Sequence, residues 1–197
     1  MESLSTLVIS QRIKEKGLFF LDYSSLSSLT GISNQNTVYK TAQRLIKKRV
    51  ITPLCPGHFL VSGINHISEF EIANFVHQPS YISLHSALSF YGILSQFVYS
   101  VTSITTRKTK KLMIAEKEYV YSHVNQNHFW GYEKSNGMLI ATPEKALVDT
   151  LYFKIKGIVS LNLEELDYSR INYPKLKQVA KQFYHPQLIQ LVKEIDT

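Results

Sequence analysis

Between Gly31 and Ser62 the chain reads GISNQNTVYKTAQRLIKKRVITPLCPGHFLVS, and one face of its central helix carries Gln35, Asn36, Tyr39, Lys40, Gln43, Arg44 and Lys47. Amides, a phenol and cations are the side chains that bond to base edges and phosphates, so the chemistry on offer is recognition of a nucleic acid. Val38, Ala42, Leu45 and Ile46 fall at i, i+4, i+7 and i+8, the spacing of a buried helical stripe. The polar face is thereby left to solvent or to a partner.

Other stretches offer less. In Ala141 to Phe153, ATPEKALVDTLYF, Thr142 is a good N-cap, Pro143 suits the first helical position and Glu144 favours the positive end of the helix dipole. Lys145 and Asp149 form an i,i+4 pair, and helix stability accounts for all of these residues. Glu144 and Asp149 stand five apart and point in different directions, so no acid/base couple is expected there. Arg107, Lys108, Lys110 and Lys111 place four cations in five residues between two expected strands. They read either as a solvated turn or as a second polyanion contact. The seven histidines, His58, His66, His77, His85, His123, His128 and His185, show neither the His-Glu-x-x-His spacing of zincins nor the Cys/His pairs of zinc fingers. His123 and His128 stand five apart, on opposite faces of any continuous strand. There is no Gly-x-Ser-x-Gly elbow, P-loop or dinucleotide fingerprint, and no Gly-Ser followed by Asp-x-Asp. No enzymatic activity, cofactor or metal is expected.

Composition supports the same direction. The 197 residues are 44% hydrophobic, enough for a packed core in one large or two small domains. No run of about 18 uncharged apolar residues is present, and the first segment meets charge at Glu2 and Arg12, so neither a membrane span nor a secretory signal is expected. Cys55 is the single cysteine and reads as filler in a turn, in keeping with a reducing, cytoplasmic setting. The net charge of +7 is uneven: residues 1–67 carry +5 and the remaining 130 only +2. A polyanion-facing N-terminal module joined to a nearly neutral body follows.

The elements that must position the polar face are legible. Leu4, Leu7 and Val8, widened by Ile9 and Ile13, predict a first helix stopped near Gly17. Asp22 or Ser24 caps a second, bearing Leu26 and Leu29 and ended by Gly31. Ser33 or Asn34 caps the third. The β-prone ends of RVITPLCPGHFLVS around a Pro-x-x-Pro-Gly centre predict a hairpin. Three helices and a hairpin make a winged helix-turn-helix, assigned to residues 1–64. Gly63 and Asn65 mark the seam. Residues 65–197 form a second, α+β domain: a helix from Ser68, a short helix bearing Leu84, Ala87, Leu88 and Tyr91, a small antiparallel sheet of four or five strands between Phe97 and Ala141, and C-terminal helices in TPEKALVDTLYFKIK, LNLEELDYSRI, YPKLKQVAKQFYH and PQLIQLVKEI.

In this order the chain resembles the AbiEi family of antitoxins from bacterial abortive-infection (type IV) toxin-antitoxin systems. The specific segments are YISLHSALSFYGIL (Tyr81 to Leu94) and ATPEKALVD (Ala141 to Asp149). The resemblance implies a phage-defence protein whose winged helix represses its own promoter and whose C-terminal domain counters a nucleotidyltransferase-like toxin. The expected partners are double-stranded DNA with inverted repeats and that toxin, met directly or functionally, with no membrane and a monomer or weak dimer in solution. An alternative reading is a protein-interaction module whose winged helix docks a partner protein instead of DNA. With the third helix in a major groove, Gln35, Asn36 and Tyr39 are the expected base readers. Asn34 and Gln43 flank them, Lys40, Arg44, Lys47 and Lys48 grip phosphates, and His58 at the hairpin tip reaches a neighbouring groove or backbone. About four to six neutralised phosphates predict a slope of log K on log salt of roughly −4 to −5.

Overall fold

A computed structural model describes residues 4–64, 66–96 and 98–195. The chain is mixed α and β and divides into two compact units, Met1–Ile67 and Ser68–Thr197. No described helix is long and apolar enough to cross a membrane.

The first unit runs α1 (Thr6–Glu15), β1 (Phe20–Asp22), α2 (Tyr23–Thr30), α3 (Gln35–Lys47), β2 (Ile51–Cys55) and β3 (His58–Val61). Its three strands form one antiparallel sheet in the order β1-β3-β2. Each helix begins on a side-chain cap. Ser5 accepts from Val8 N–H, Asp22 forms a reciprocal capping box with Ser25, and Asn34 accepts from Thr37 N–H. Gly31, at φ 73°, ends α2 in the left-handed conformation that glycine adopts without steric cost. The core joins Ile9, Ile13, Leu21, Leu26, Leu29, Val38, Ala42, Leu45, Ile51 and Phe59.

One expectation shifts here. The inner face of α1 is Ile9 and Ile13, whereas Leu7 is 82% exposed and Val8 38%. Residues two apart on a helix lie about half a turn around it, so Leu7 and Ile9 cannot share one buried stripe. The segment LFFLDY supplies β1, a three-residue strand too short to show alternation, which pairs with β3 through Leu21 opposite Phe59.

The second unit holds α4 (Glu69–Val76), β4 (Ser80–Ile82), α5 (Leu84–Phe90), β5 (Val101–Thr105), β6 (Lys110–Ile114), β7 (Lys117–His123), β8 (Tyr132–Ser135), β9 (Met138–Ala141), α6 (Pro143–Ile155), α7 (Tyr173–Lys181) and α8 (Pro186–Ile195). Its sheet has six strands in the order β6-β7-β5-β4-β9-β8. The expected small antiparallel sheet is corrected in two respects. The strand count rises because Ser80–Ile82 joins the centre, and the β4–β9 and β5–β7 pairings are parallel while the other three are antiparallel. The β5–β7 pairing is parallel because β6 folds onto the outer side of β7, returning the chain along the edge. The segment LNLEELDYSRI is not a helix but two 3-10 turns, Leu163–Glu165 and Tyr168–Arg170, opened by Asn162 and Asp167, whose side chains accept from residues two further on.

Candidate nucleic-acid interface

On α3, Val38, Thr41, Ala42 and Leu45 are buried and Ile46 half-buried, which fixes the helix's rotation. Asn36, Lys40, Gln43 and Lys47 then follow i, i+4, i+7 and i+11 along the opposite, exposed side, with Gln35 and Tyr39 beside them and Lys48 at the C-cap. The structure therefore gathers seven of the expected residues on one open face. All seven side chains are exposed to solvent.

Three expected residues are engaged within the unit. Asn34 spends its side-chain oxygen on the cap, accepting from Thr37 N–H at 3.1 Å and the Thr37 hydroxyl at 3.3 Å. Arg44 is half-buried and donates through Nη2 to the Leu4 carbonyl at 2.8 Å, tying α3 to the segment before α1. It sits on the flank of the helix between the exposed and buried stripes, where that carbonyl is within reach of a long side chain. His58 is not at the tip: the β2–β3 turn is Pro56–Gly57, and the ring folds back so that Nδ1 donates to the Pro56 carbonyl at 3.1 Å.

The sequence reading missed a neighbour of this face. An open groove of about 650 Å³ lies between α2 and α3, bounded by Tyr23, Ser24, Ser28, Gln35 and Asn36. Tyr23 packs 6.2 Å from Tyr39 on α3 and 5.5 Å from Phe59 on β3, centroid to centroid. A Cβ on Gly57 would stand 3.4 Å from the Tyr23 ring. One aromatic side chain thus lies against α3 and the β2–β3 turn together. The SSLSS run of α2 was the available signal, since Ser24 and Ser28, one turn apart, share the exposed side.

In the second unit, Arg107, Lys108, Lys110 and Lys111 are exposed on the β5–β6 turn and the edge strand β6. The turn is built: Arg107 N–H donates to the Thr105 hydroxyl at 3.1 Å, and His123 Nδ1 donates to the Arg107 carbonyl at 2.9 Å. Lys111 lies 3.7 Å from Glu118 and is itself 70% exposed.

The Lys145–Asp149 pair departs furthest from expectation. Both side chains are fully buried and bonded to each other. Lys145 Nζ also donates to Tyr81 Oη at 2.8 Å, while Asp149 Oδ2 accepts from Tyr81 Oη at 3.0 Å and from Ser83 Oγ at 2.8 Å. The ammonium stands 5.3, 5.2 and 4.9 Å from the ring centroids of Tyr81, Trp130 and Phe183. Burial pulls the Lys145 pKa below its ordinary value against the opposing pull of Asp149, and burial followed by the Asp149 charge pushes the Tyr81 phenol well up. Glu144 is buried on a different side of α6, accepting from Asn172 N–H at 3.2 Å and paired with Lys175 at 3.0 Å. His128 stacks on Phe183 at 4.5 Å, and burial, then the nearby Lys145, lowers its pKa. With the polar side-chain atoms of the Lys145 cluster bonded to one another and buried, the arrangement fastens β4 to α6.

No protein-family model matches the chain, and no curated protein matches it.

Proposed function

We propose that the chain is a DNA-binding transcriptional repressor of its own promoter and the antitoxin of a toxin-antitoxin pair, a cytoplasmic binding protein rather than an enzyme. The observation that carries the DNA half is the exposed stripe Asn36, Lys40, Gln43 and Lys47 set directly opposite the buried face of α3. The order helix, strand, helix, helix, strand, strand supports reading the first unit as a winged helix-turn-helix, with α3 as the helix in the major groove and β2–β3 as the wing.

On this reading Gln35, Asn36 and Tyr39, at the N-terminal end of α3, read base edges, because that end of a recognition helix enters the groove first. Lys40, Lys47 and Lys48 neutralise phosphates, and the N-terminal partial positive charge of α3 adds to the attraction. Arg44 and His58 drop out of the contact set, which brings the expected salt slope down to about −3 for each copy bound. Two copies on an inverted repeat double it.

The antitoxin half rests on the resemblance to AbiEi proteins. Its two specific segments, Tyr81 to Leu94 and Ala141 to Asp149, supply Tyr81, Ser83, Lys145 and Asp149, the four members of one buried cluster. Their shared spacing is accounted for by that packing, so the surface that counters a toxin is to be sought outside them. Arg107 to Lys111 is the second cationic surface the reading allows. The test is repression of a reporter driven by the upstream DNA, with and without the Asn36→Ala change. The reading expects repression that this change relieves.

A further inference from the structure

The edge strand β6 hydrogen-bonds to β7 and, among the described strands, to no other. Its outward backbone N–H and C=O groups are a template for one more strand. Both ends of β6 are fixed. Before it, His123 on β7 donates through Nδ1 to the Arg107 carbonyl and through its backbone N–H to the Thr109 hydroxyl at 3.3 Å. After it, Ala115 and Glu116, at φ 47° and 66°, make the two-residue turn into β7.

The side chains along this edge are sorted by charge. Lys110 and Leu112 fall on one face of the strand, Lys111 and Met113 on the other. Cations thus open both faces and apolar side chains follow them, Leu112 half-buried and Met113 63% exposed. Arg107 and Lys108 extend the positive end, while Glu116 in the turn and Glu118 opposite Met113 make the other end negative. Among the described residues Arg107, Lys108 and Lys110 have no acidic partner, and Lys111 meets Glu118 only at 3.7 Å.

Lysines on an edge disfavour pairing with a second copy of the same strand, because the cations of both would be crowded onto one short ladder. They favour a strand of opposite charge, since opposite charges across a ladder attract. A phosphodiester chain would meet the cations but leave the edge carbonyls and the Leu112 and Met113 side chains without a partner. We propose that β6 takes an extended acidic segment of a partner protein as a further strand of the sheet, with carboxylates opposite Lys110 and Lys111 and on toward Lys108 and Arg107, and apolar side chains opposite Leu112 and Met113. Antiparallel pairing is the more stable per residue, so the segment reads apolar first and acidic after. Its backbone supplies affinity, and its alternating side chains and charge set the register. The proposal belongs to the second unit and does not depend on DNA binding by the first.

The test titrates the full chain into a fluorescein-labelled peptide, a pair of valines followed by a run of glutamates. One control carries lysines for the glutamates, and a second keeps the glutamates but has its backbone amides N-methylated. The acidic peptide is expected to bind saturably, more weakly as salt rises, and to slow hydrogen exchange at the amides of Lys110–Ile114. The basic control is expected not to bind, and the N-methylated one, which has the charge without the donors, to bind about tenfold more weakly. Lys108→Glu and Lys110→Glu are each expected to weaken the acidic peptide about fivefold. Met113→Asp weakens it through the lost apolar contact, while Lys40→Glu and Lys47→Glu on α3 leave it unchanged, with thermal unfolding confirming that every variant is folded. Undiminished binding to the β6 variants, equal binding of the N-methylated peptide, loss confined to the α3 variants, or no binding to the natural chain overturns the proposal. So does exchange in β6 that slows with rising chain concentration and no peptide, which makes a second copy the occupant, or binding to a DNA fragment that Lys108→Glu and Lys110→Glu abolish while leaving the peptide untouched.

Discussion

Helices α3 and α6 are both 13 residues long and both start on a side-chain cap, Asn34 in one and Thr142 in the other. Each carries charged residues at helical spacing, yet they use them in opposite ways. In α3 the charges stand on an exposed stripe, where solvation costs nothing and a polyanion can replace the water. In α6 the Lys145–Asp149 pair is taken wholly out of water, and the desolvation is offset only because Tyr81, Ser83 and three aromatic rings complete the site. An i,i+4 pair of opposite charges therefore does not report its own burial. What distinguishes the helices is the residue between the charges: α6 is buried on every side, with Ala146, Leu147, Val148 and Leu151 among its charged positions, whereas α3 confines its buried residues to one side.

The largest effect that tests this contrast comes from breaking the buried pair. Lys145→Ala leaves Asp149 uncompensated in the core and is expected to cost about 3–5 kcal/mol in urea unfolding of the second unit. Replacing both partners, Lys145→Met with Asp149→Leu, should recover most of that loss; if the double variant is as unstable as the single, the pair is not what holds α6 to β4. On α3 the expected effects fall on binding instead. Asn36→Ala should lose about 1–3 kcal/mol on the native operator and much less on scrambled DNA, whereas Lys47→Ala should weaken both alike. Arg44→Ala sharpens the comparison from within α3. Loss of its bond to the Leu4 carbonyl should lower the stability of the first unit by about 1–3 kcal/mol while the salt slope of DNA binding stays as it was. A change of one unit in that slope would return Arg44 to the phosphate contacts.

The smallest effect is a pH dependence. His128 is held neutral with a lowered pKa, so the unfolded chain takes up its proton first as pH falls. The stability this ring contributes is full above about 6.5 and is lost as pH drops from there toward the lowered native value. His128→Phe keeps the stacking on Phe183 and should flatten the fall in the urea midpoint between pH 7.5 and 5. Tyr81 works at the other end: its raised pKa makes its contribution complete below 10 and progressively lost above.

Much of the first unit was legible because its signals are local. Caps at Asp22 and Asn34, the stop at Gly31 and the stripe of α3 are set by neighbours within a turn, and α2 and α3 begin and end on them. The bond from Arg44 to the Leu4 carbonyl was not legible because its partner is 40 residues away, and Tyr23 was missed because its contacts come from three elements. In the second unit the pairing of β4 with β9 and the bonds of Tyr81 and Ser83 to Lys145 and Asp149 join residues 58 to 68 apart, which no periodicity records. Both quoted segments stood out as patterns before their meeting in space explained them.

The most direct test is a titration of the purified chain against the DNA upstream of its own gene and against a scrambled fragment, across several salt concentrations. The account predicts preference for the native fragment and a log–log slope of about −3 for each bound copy, carried by Lys40, Lys47 and Lys48. Equal affinity for both fragments, or affinity indifferent to salt, would contradict it and leave α3 as a solvated face.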